Sequence, residues 1–249
     1  MKILIVSDLI DPFIYNYAIK ETFKDVECVL CAGDLPMDYI DFIVSTLNKP
    51  TYFIFGNHNL KEYKYYHAYL PKDRQTACTD FHGHGAVYAG FKVITDRLLK
   101  WTNPKNNKQT PLLIAGVSGS KDYNHGLNQY SELAMSFKLL QLAPKLILNK
   151  ILYGRYLDVF LTHATPRHVH DHEDRCHQGF KCFNRFLNKY KPAYMVHGHI
   201  HLYDLNEPRI STYNKTVVVN AYGHYVIDLP YVENSGADYA VNVIQPADR

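Results

Sequence analysis

Long apolar runs, a disulfide framework and concentrated charge of either sign are all missing from this 249-residue chain. The opening run Met1 to Val6 is too short for a signal-peptide core or a membrane span, so a cytoplasmic protein that avoids the membrane is the simplest expectation. Five cysteines at scattered spacing (28, 31, 78, 176, 182) fit a reducing compartment better than a set of disulfides. Cys28 and Cys31 form a C-x-x-C, but inside the apolar run Val26 to Ala32, where a buried strand is the ordinary reading and a redox turn the exception. Formal net charge is only +3, and no Lys/Arg run is dense enough to form a stripe for nucleic acid. With 47% hydrophobic and 20% charged residues the chain excludes disorder and fibrous repeats, and one α/β domain spanning residues 1–249 is expected.

What the chain has in excess is histidine (14) and tyrosine (21). Histidine is both a common transition-metal ligand and the natural acid or base near neutral pH, so its positions matter. Ile3 to Val6 reads as a strand ending at Ser7-Asp8, followed by a helical stretch from about Phe13 to Phe23. Cys28 to Ala32 is a second strand ending at Gly33-Asp34. A helix over Met37 to Leu47 leads to a third strand, Thr51 to Phe55, ending at Gly56-Asn57-His58.

Ala86–Ala89 and Lys92–Ile94 suggest a short hairpin, Leu98 to Thr110 an exposed loop, and Leu112 to Val117 another strand. Gln129 to Lys150 is helical in pattern, with Pro144 expected to kink or interrupt it. Leu157 to Leu161 is a strand ending at Thr162-His163. After a His-rich loop, Phe180 to Tyr190 is a helix and Ala193 to Val196 a strand ending at His197-Gly198-His199-Ile200-His201. Thr216 to Asn220 and Tyr225 to Leu229 close the pattern before a polar tail.

The repeated event is a buried strand with a polar tip. In open α/β sheets such tips converge on one crevice beyond the strand ends. Here they offer carboxylate and amide oxygens together with imidazole nitrogens, a donor mixture suited to Mn, Fe, Zn or similar divalent ions rather than Ca.

Gly33-Asp34, Gly56-Asn57-His58, His163 and Gly198-His199-Ile200-His201, in that order after Asp8, resemble the calcineurin-like metallophosphoesterase family. The resemblance implies a four-layer α/β fold, a β-sandwich flanked by helices, that hydrolyses phosphomonoesters or phosphodiesters with one or two divalent ions (Mn, Fe, Zn, Ni or Mg). It implies a first metal on Asp8, Asp34 and His201 and a second on Asp34, Asn57, His163 and His199, with Asp34 as the bridge. His58 matches the family's catalytic histidine. Two cations about 3.5 to 4 Å apart clamp the phosphate and activate a water for in-line attack. An acid at His58 contributes about a hundredfold to ten-thousandfold.

Two positions depart from the pattern. Ile10 stands where the family has a metal-binding His, so the first site is a ligand short; Asp11 either supplies an oxygen instead or caps the helix expected from Phe13. Asn59 stands where the family carries Asp or Glu after Gly-Asn-His. A looser resemblance to a group of bacterial metallophosphoesterases covers residues 119–124, 129–130 and 176–179. It points to Tyr123, Asn124, His170, Asp171 and His177 as a rim that selects the organic group of a small-molecule or nucleotide-like phosphoester.

Each residue also has an ordinary reading. A lone Asp at a strand end is a cap, and His168, His170, His172 and His177 fit a solvated loop. Most tyrosines suit core or sheet surfaces, with Tyr63, Tyr65 and Tyr66 the ones placed to stack on a base. The rival functions are a non-catalytic metal-binding scaffold of the same fold, and a nuclease, which the weak basic charge disfavours.

Overall fold

The computed structural model describes residues 1–67, 85–103, 107–204 and 206–230, together with the backbone of 242–244. Two sheets face each other. The first has the order β13-β1-β2-β3-β4, from β1 (Lys2–Ser7), β2 (Val26–Cys31), β3 (Thr51–Phe53), β4 (Val87–Tyr88) and β13 (Gly223–Asp228). The second has the order β14-β11-β12-β10-β9-β6-β5. Its strands are β5 (Lys92–Asn103), β6 (Lys108–Val117), β9 (Val159–Thr162), β10 (Tyr194–His197), β11 (Ile210–Tyr213), β12 (Thr216–Asn220) and β14 (Asn242–Ile244). A small parallel pair, β7 (Ser120–Lys121) and β8 (Gln129–Tyr130), stands apart.

The strands read as continuous apolar runs because both faces of each sheet are covered. With a side-chain period of two, Ile3 and Ile5 of β1 meet Ile114, Leu161 and Val196 between the sheets. Leu4 and Val6 face the other way, onto Ile19 of α1 (Ile19–Thr22) and Ile40 and Ile43 of α2 (Met37–Leu47). On the far side of the second sheet, Phe160 and Met195 pack under α4 (Glu132–Tyr153) and α5 (Lys181–Tyr190). The result is the expected helix, sheet, sheet, helix layering. Among the described residues no helix is long and apolar enough to cross a membrane.

The same period settles the C-x-x-C. Three residues apart on one strand, Cys28 enters the inter-sheet core and Cys31 the helix-side core, both as free buried thiols that burial pushes well above the usual range. They are back to back, and no redox pair forms.

Several local expectations are corrected. The helix expected over residues 13–23 is only α1, because turns through Asp11–Ala18 precede it, with Asn16 hydrogen bonding the carbonyls of Pro12 and Phe13. Val87 and Lys92 do not form a hairpin: β4 joins the first sheet and β5 the second. The stretch read as a loop over 98–110 is largely strand, since β5 and β6 pair antiparallel around a register shift between Asp96 and Lys100. α4 runs for 22 residues through Pro144, capped by Ser131, whose Oγ accepts from Ala134 N at 3.2 Å. The third helix, α3 (Tyr63–Tyr66), packs its rings on protein: Tyr66 on Phe53 and Phe55, and Tyr63 stacked on His67 at 3.7 Å. Tyr63 and Tyr66 are thus partly buried against the helix-side core.

Candidate metal centre

Strand tips from both sheets meet at one edge of the sandwich. β1 ends beside Asp8, β2 runs into Gly33-Asp34 and β3 into Gly56-Asn57-His58, while β9 and β10 deliver His163 and Gly198-His199 from the second sheet. Backbone hydrogen bonds join neighbouring tips: Asp8 N–H to Gly33 O at 3.2 Å, and Gly198 N–H to His163 O at 3.2 Å. Asp8, Asp34 and His199 all adopt left-handed backbone conformations (φ 63°, 57° and 67°), which non-glycine residues enter at a cost of about 1 to 2 kcal/mol each. Surrounding contacts therefore hold each of the three side chains in place.

Close approach explains two glycines. A Cβ on Gly56 would lie 2.0 Å from Asp34 Oδ1, and one on Gly198 only 1.9 Å from Ser7 Oγ. Either methyl would occupy the space that the carboxylates need.

Asp34, His163 and His199 are buried and bring one ligand atom each within 4.8 Å of the others. The backbone fixes the outer nitrogen of each ring. His163 Nδ1 donates to Ala32 O at 2.9 Å, and His199 Nε2 to Cys176 O at 2.7 Å. Metal-binding imidazoles are oriented in this way, with the second nitrogen left for the ion. His163 Nε2 then faces Asn57 Oδ1 at 3.1 Å and Asp34 Oδ2 at 3.3 Å. Asn57 is turned so that its Nδ2 donates to Tyr123 OH at 3.4 Å.

Asp8 presents a carboxylate whose side chain is only 1% exposed, held by His199 N–H at 3.0 and 3.1 Å from its two oxygens. His201 Nε2 lies 3.9 Å from Asp8 Oδ1, and its Nδ1 is hydrogen bonded to Tyr203 OH at 2.7 Å. His58 is exposed; its backbone N–H donates to Asp34 Oδ1 at 2.7 Å, which ties the histidine to the centre.

Burial opposes charge on all these groups, and their mutual fields decide the outcome. Asp8 is pushed up by burial and by the Asp34 charge, against the pull of His163. For Asp34 burial acts upward too, but His163 beside it wins and holds the carboxyl low. His163 rises despite burial because of Asp34, and His199 falls through burial and the His163 charge. Two buried carboxylates and two buried imidazoles thus converge on one space, a donor set that a cation would hold together. The oxygens and nitrogens converging here fit a divalent ion of the Mn, Fe or Zn type.

The remaining candidates divide. Both oxygens of Asp11 are engaged elsewhere: Oδ1 accepts from Phe13 N–H at 2.9 Å and Oδ2 lies 2.6 Å from His224 Nδ1. Asp11 thus closes a local turn at Phe13 and pairs with His224; the helix expected from Phe13 does not start there, since α1 begins at Ile19, and Ile10 is 44% exposed with no donor atom to offer. Asn59 uses its amide to donate to Asp34 O at 2.8 Å, a bond that an ionised carboxylate at this position could not make.

Tyr123 and His177 flank the centre, the latter with its ring 5.4 Å from that of His199. Asn124 is exposed and accepts from Gly126 N–H at 3.1 Å within its own turn, and Asp171 is paired with Arg167 at 2.6 Å. His170 has no free nitrogen: Nδ1 lies 2.9 Å from His197 Nε2 and Nε2 lies 2.8 Å from Ser211 Oγ.

Sequence reasoning missed Asn128, whose buried amide donates to the carbonyls of Phe55 and Gly56 and so pins the Asn57-His58 tip from behind. It also missed His224, the partner of Asp11. Neither carried a motif; the looser resemblance resumes one residue past Asn128, at 129–130.

Solved structures with this fold include TT1561 of Thermus thermophilus, 13% identical with a TM-score of 0.53 over 89% of both chains. Another is GAP50, described as the anchor in the inner membrane complex of Plasmodium, 9% identical with a TM-score of 0.52 over 89% of this chain and 71% of that one. Among curated proteins none matches. At such identities the likeness shows the fold alone, but the family model for calcineurin-like phosphoesterases matches residues 1–203, and this chain belongs to that family.

Proposed function

We propose that the chain hydrolyses a phosphoester of a small molecule, with Asp34, Asn57, His163 and His199 holding one divalent ion and Asp8, Asp34 and His201 forming a second, less complete site. The observation that carries this reading is His163. Its outer nitrogen is anchored to Ala32 O, while its inner nitrogen, Asn57 Oδ1 and Asp34 Oδ2 point at a common space. Ions bound there supply Lewis acidity to the phosphoryl oxygens and to the attacking water.

The protein's own part is to place groups. Asn59 and His58 N–H hold the carbonyl and carboxylate of Asp34, Asn128 holds the Gly56 carbonyl, and the His58 imidazole stands at the exposed mouth to protonate the departing oxygen. Tyr123 and His177 border the space for the organic group. The absence of a dense Lys/Arg run favours a small phosphoester over a nucleic acid.

A non-catalytic scaffold is the second reading, favoured by Ile10 and by the engagement of Asp11 with His224. His58→Ala separates the two readings. Under catalysis, turnover of bis-p-nitrophenyl phosphate falls about a hundredfold to ten-thousandfold with bound metal unchanged. Equal turnover in the variant would remove His58 from the mechanism.

A further inference from the structure

One face of α4 carries a stripe of large apolar side chains with nothing over it among the described residues. Leu133, Phe137, Leu140, Ile147 and Ile151 are between 52% and 74% exposed, and Pro144 is exposed in line with them. Their spacing is four, three, four, three and four residues, the alternation that places every member on one seam of a helix packed against another helix. Leu148 and Leu152, 49% and 56% exposed, widen the stripe toward its C-terminal end. These exposures leave on the order of 700 Å² of apolar surface. That exceeds the roughly 300–600 Å² of the largest patch on a typical monomer. It approaches the roughly 800 Å² that each partner contributes to a stable interface.

The stripe is also symmetric about its own centre. If a second α4 crosses antiparallel with the two-fold axis at residue 142, Leu133 meets Ile151, Phe137 meets Ile147 and Leu140 meets Pro144, each pair occurring twice. The flanking positions are Ala134, Ser136, Gln141 and Ala143, while Lys150 Nζ is turned to Gly154 O at 2.7 Å and Lys138 Nζ lies over the Phe91 ring at 4.2 Å. A seam that is apolar and positionally palindromic is complementary to itself.

We infer that α4 is the interface of a homodimer, in which two copies of the chain pair antiparallel along the Leu133–Ile151 seam. The helix lies on the outer side of the second sheet, under which Phe160 and Met195 pack, so pairing leaves the strand tips of the metal centre uncovered.

Sedimentation of the full chain tests this through a charge exchange. The wild type is expected at twice the 28.8 kDa chain mass. Phe137→Glu, a change at an exposed position, is expected to weaken association on the order of a hundredfold or more by burying a carboxylate in the seam. Adding Ile147→Lys in the same chain sets the new carboxylate of one copy opposite the new ammonium of the other, twice per dimer, and is expected to restore association. A parallel pairing would instead set carboxylate against carboxylate and ammonium against ammonium, and the double variant would stay monomeric. A monomeric wild type, a dimer indifferent to Phe137→Glu, or no rescue by Ile147→Lys would each overturn the inference. None of these outcomes depends on whether the chain is a hydrolase.

Discussion

Replacing Gly56 by alanine adds one methyl group at the most crowded point of the centre. The new Cβ would stand 2.0 Å from Asp34 Oδ1 and 2.6 Å from His163 Cε1, where ordinary contacts need more than 3 Å. The Asn57-His58 tip or the Asp34 carboxylate must then move by about 1 Å, and a displacement of that size near reacting groups costs about a hundredfold in rate. Overpacking of this kind costs about 1 to 3 kcal/mol of stability. For a chain of this size the melting point should fall by roughly 2 to 12 °C.

Gly154→Ala is the control. Its φ is positive, 74°, unlike that of Gly56, but no atom lies within 4 Å of the added methyl, so a stability loss of about 1 to 2 kcal/mol is expected without any change in turnover. The assay is hydrolysis and bound metal per chain for both variants, alongside thermal melts. A Gly56→Ala protein with wild-type metal content and rate would refute the geometric argument, as would an equal loss of turnover in Gly154→Ala.

Further consequences follow from buried and re-assigned groups. Burial holds the His197 imidazole low, at about 4 against 6.5 when exposed, and also lowers its neighbour His170. A histidine lowered by folding contributes stability that is complete above pH 6.5 and lost as pH falls toward 4, here about 3 kcal/mol from His197. Denaturant melts of metal-free protein between pH 7 and 4.5 should show that decline, and a His197→Asn chain with the same slope would contradict it. Asp11→Asn keeps an oxygen for the Phe13 N–H and should retain full metal content and turnover; loss of a metal equivalent on ion analysis would restore Asp11 as a ligand.

Much of this architecture could be read in the sequence because the strand tips announce themselves. An apolar run that stops abruptly at Gly-Asp or Gly-Asn-His has a local cause, the covering of both sheet faces, and the structure places all of those tips at one edge. The 98–110 segment was misleading for the opposite reason. Its Asn, Lys and Pro suggest a loop, while pairing with a neighbouring strand and Trp101 packing into the inter-sheet core make most of it sheet. Asp11 illustrates what spacing cannot supply. Its partner His224 is 213 residues away in sequence, so the engagement of its carboxylate emerges only in three dimensions. His170 is a similar case, drawn out of the rim by His197 and Ser211.

The most direct test of the proposed hydrolase starts from metal-stripped protein, restores Mn, Ni, Fe(II), Zn or Mg, and follows bis-p-nitrophenyl phosphate and p-nitrophenyl phosphate together with bound metal per chain. Turnover that returns in step with binding of a transition metal, and is absent in Asp34→Asn, is the predicted result. Stoichiometric metal without turnover on either ester would contradict hydrolysis and favour the scaffold, and a chain that binds no metal would contradict the centre itself.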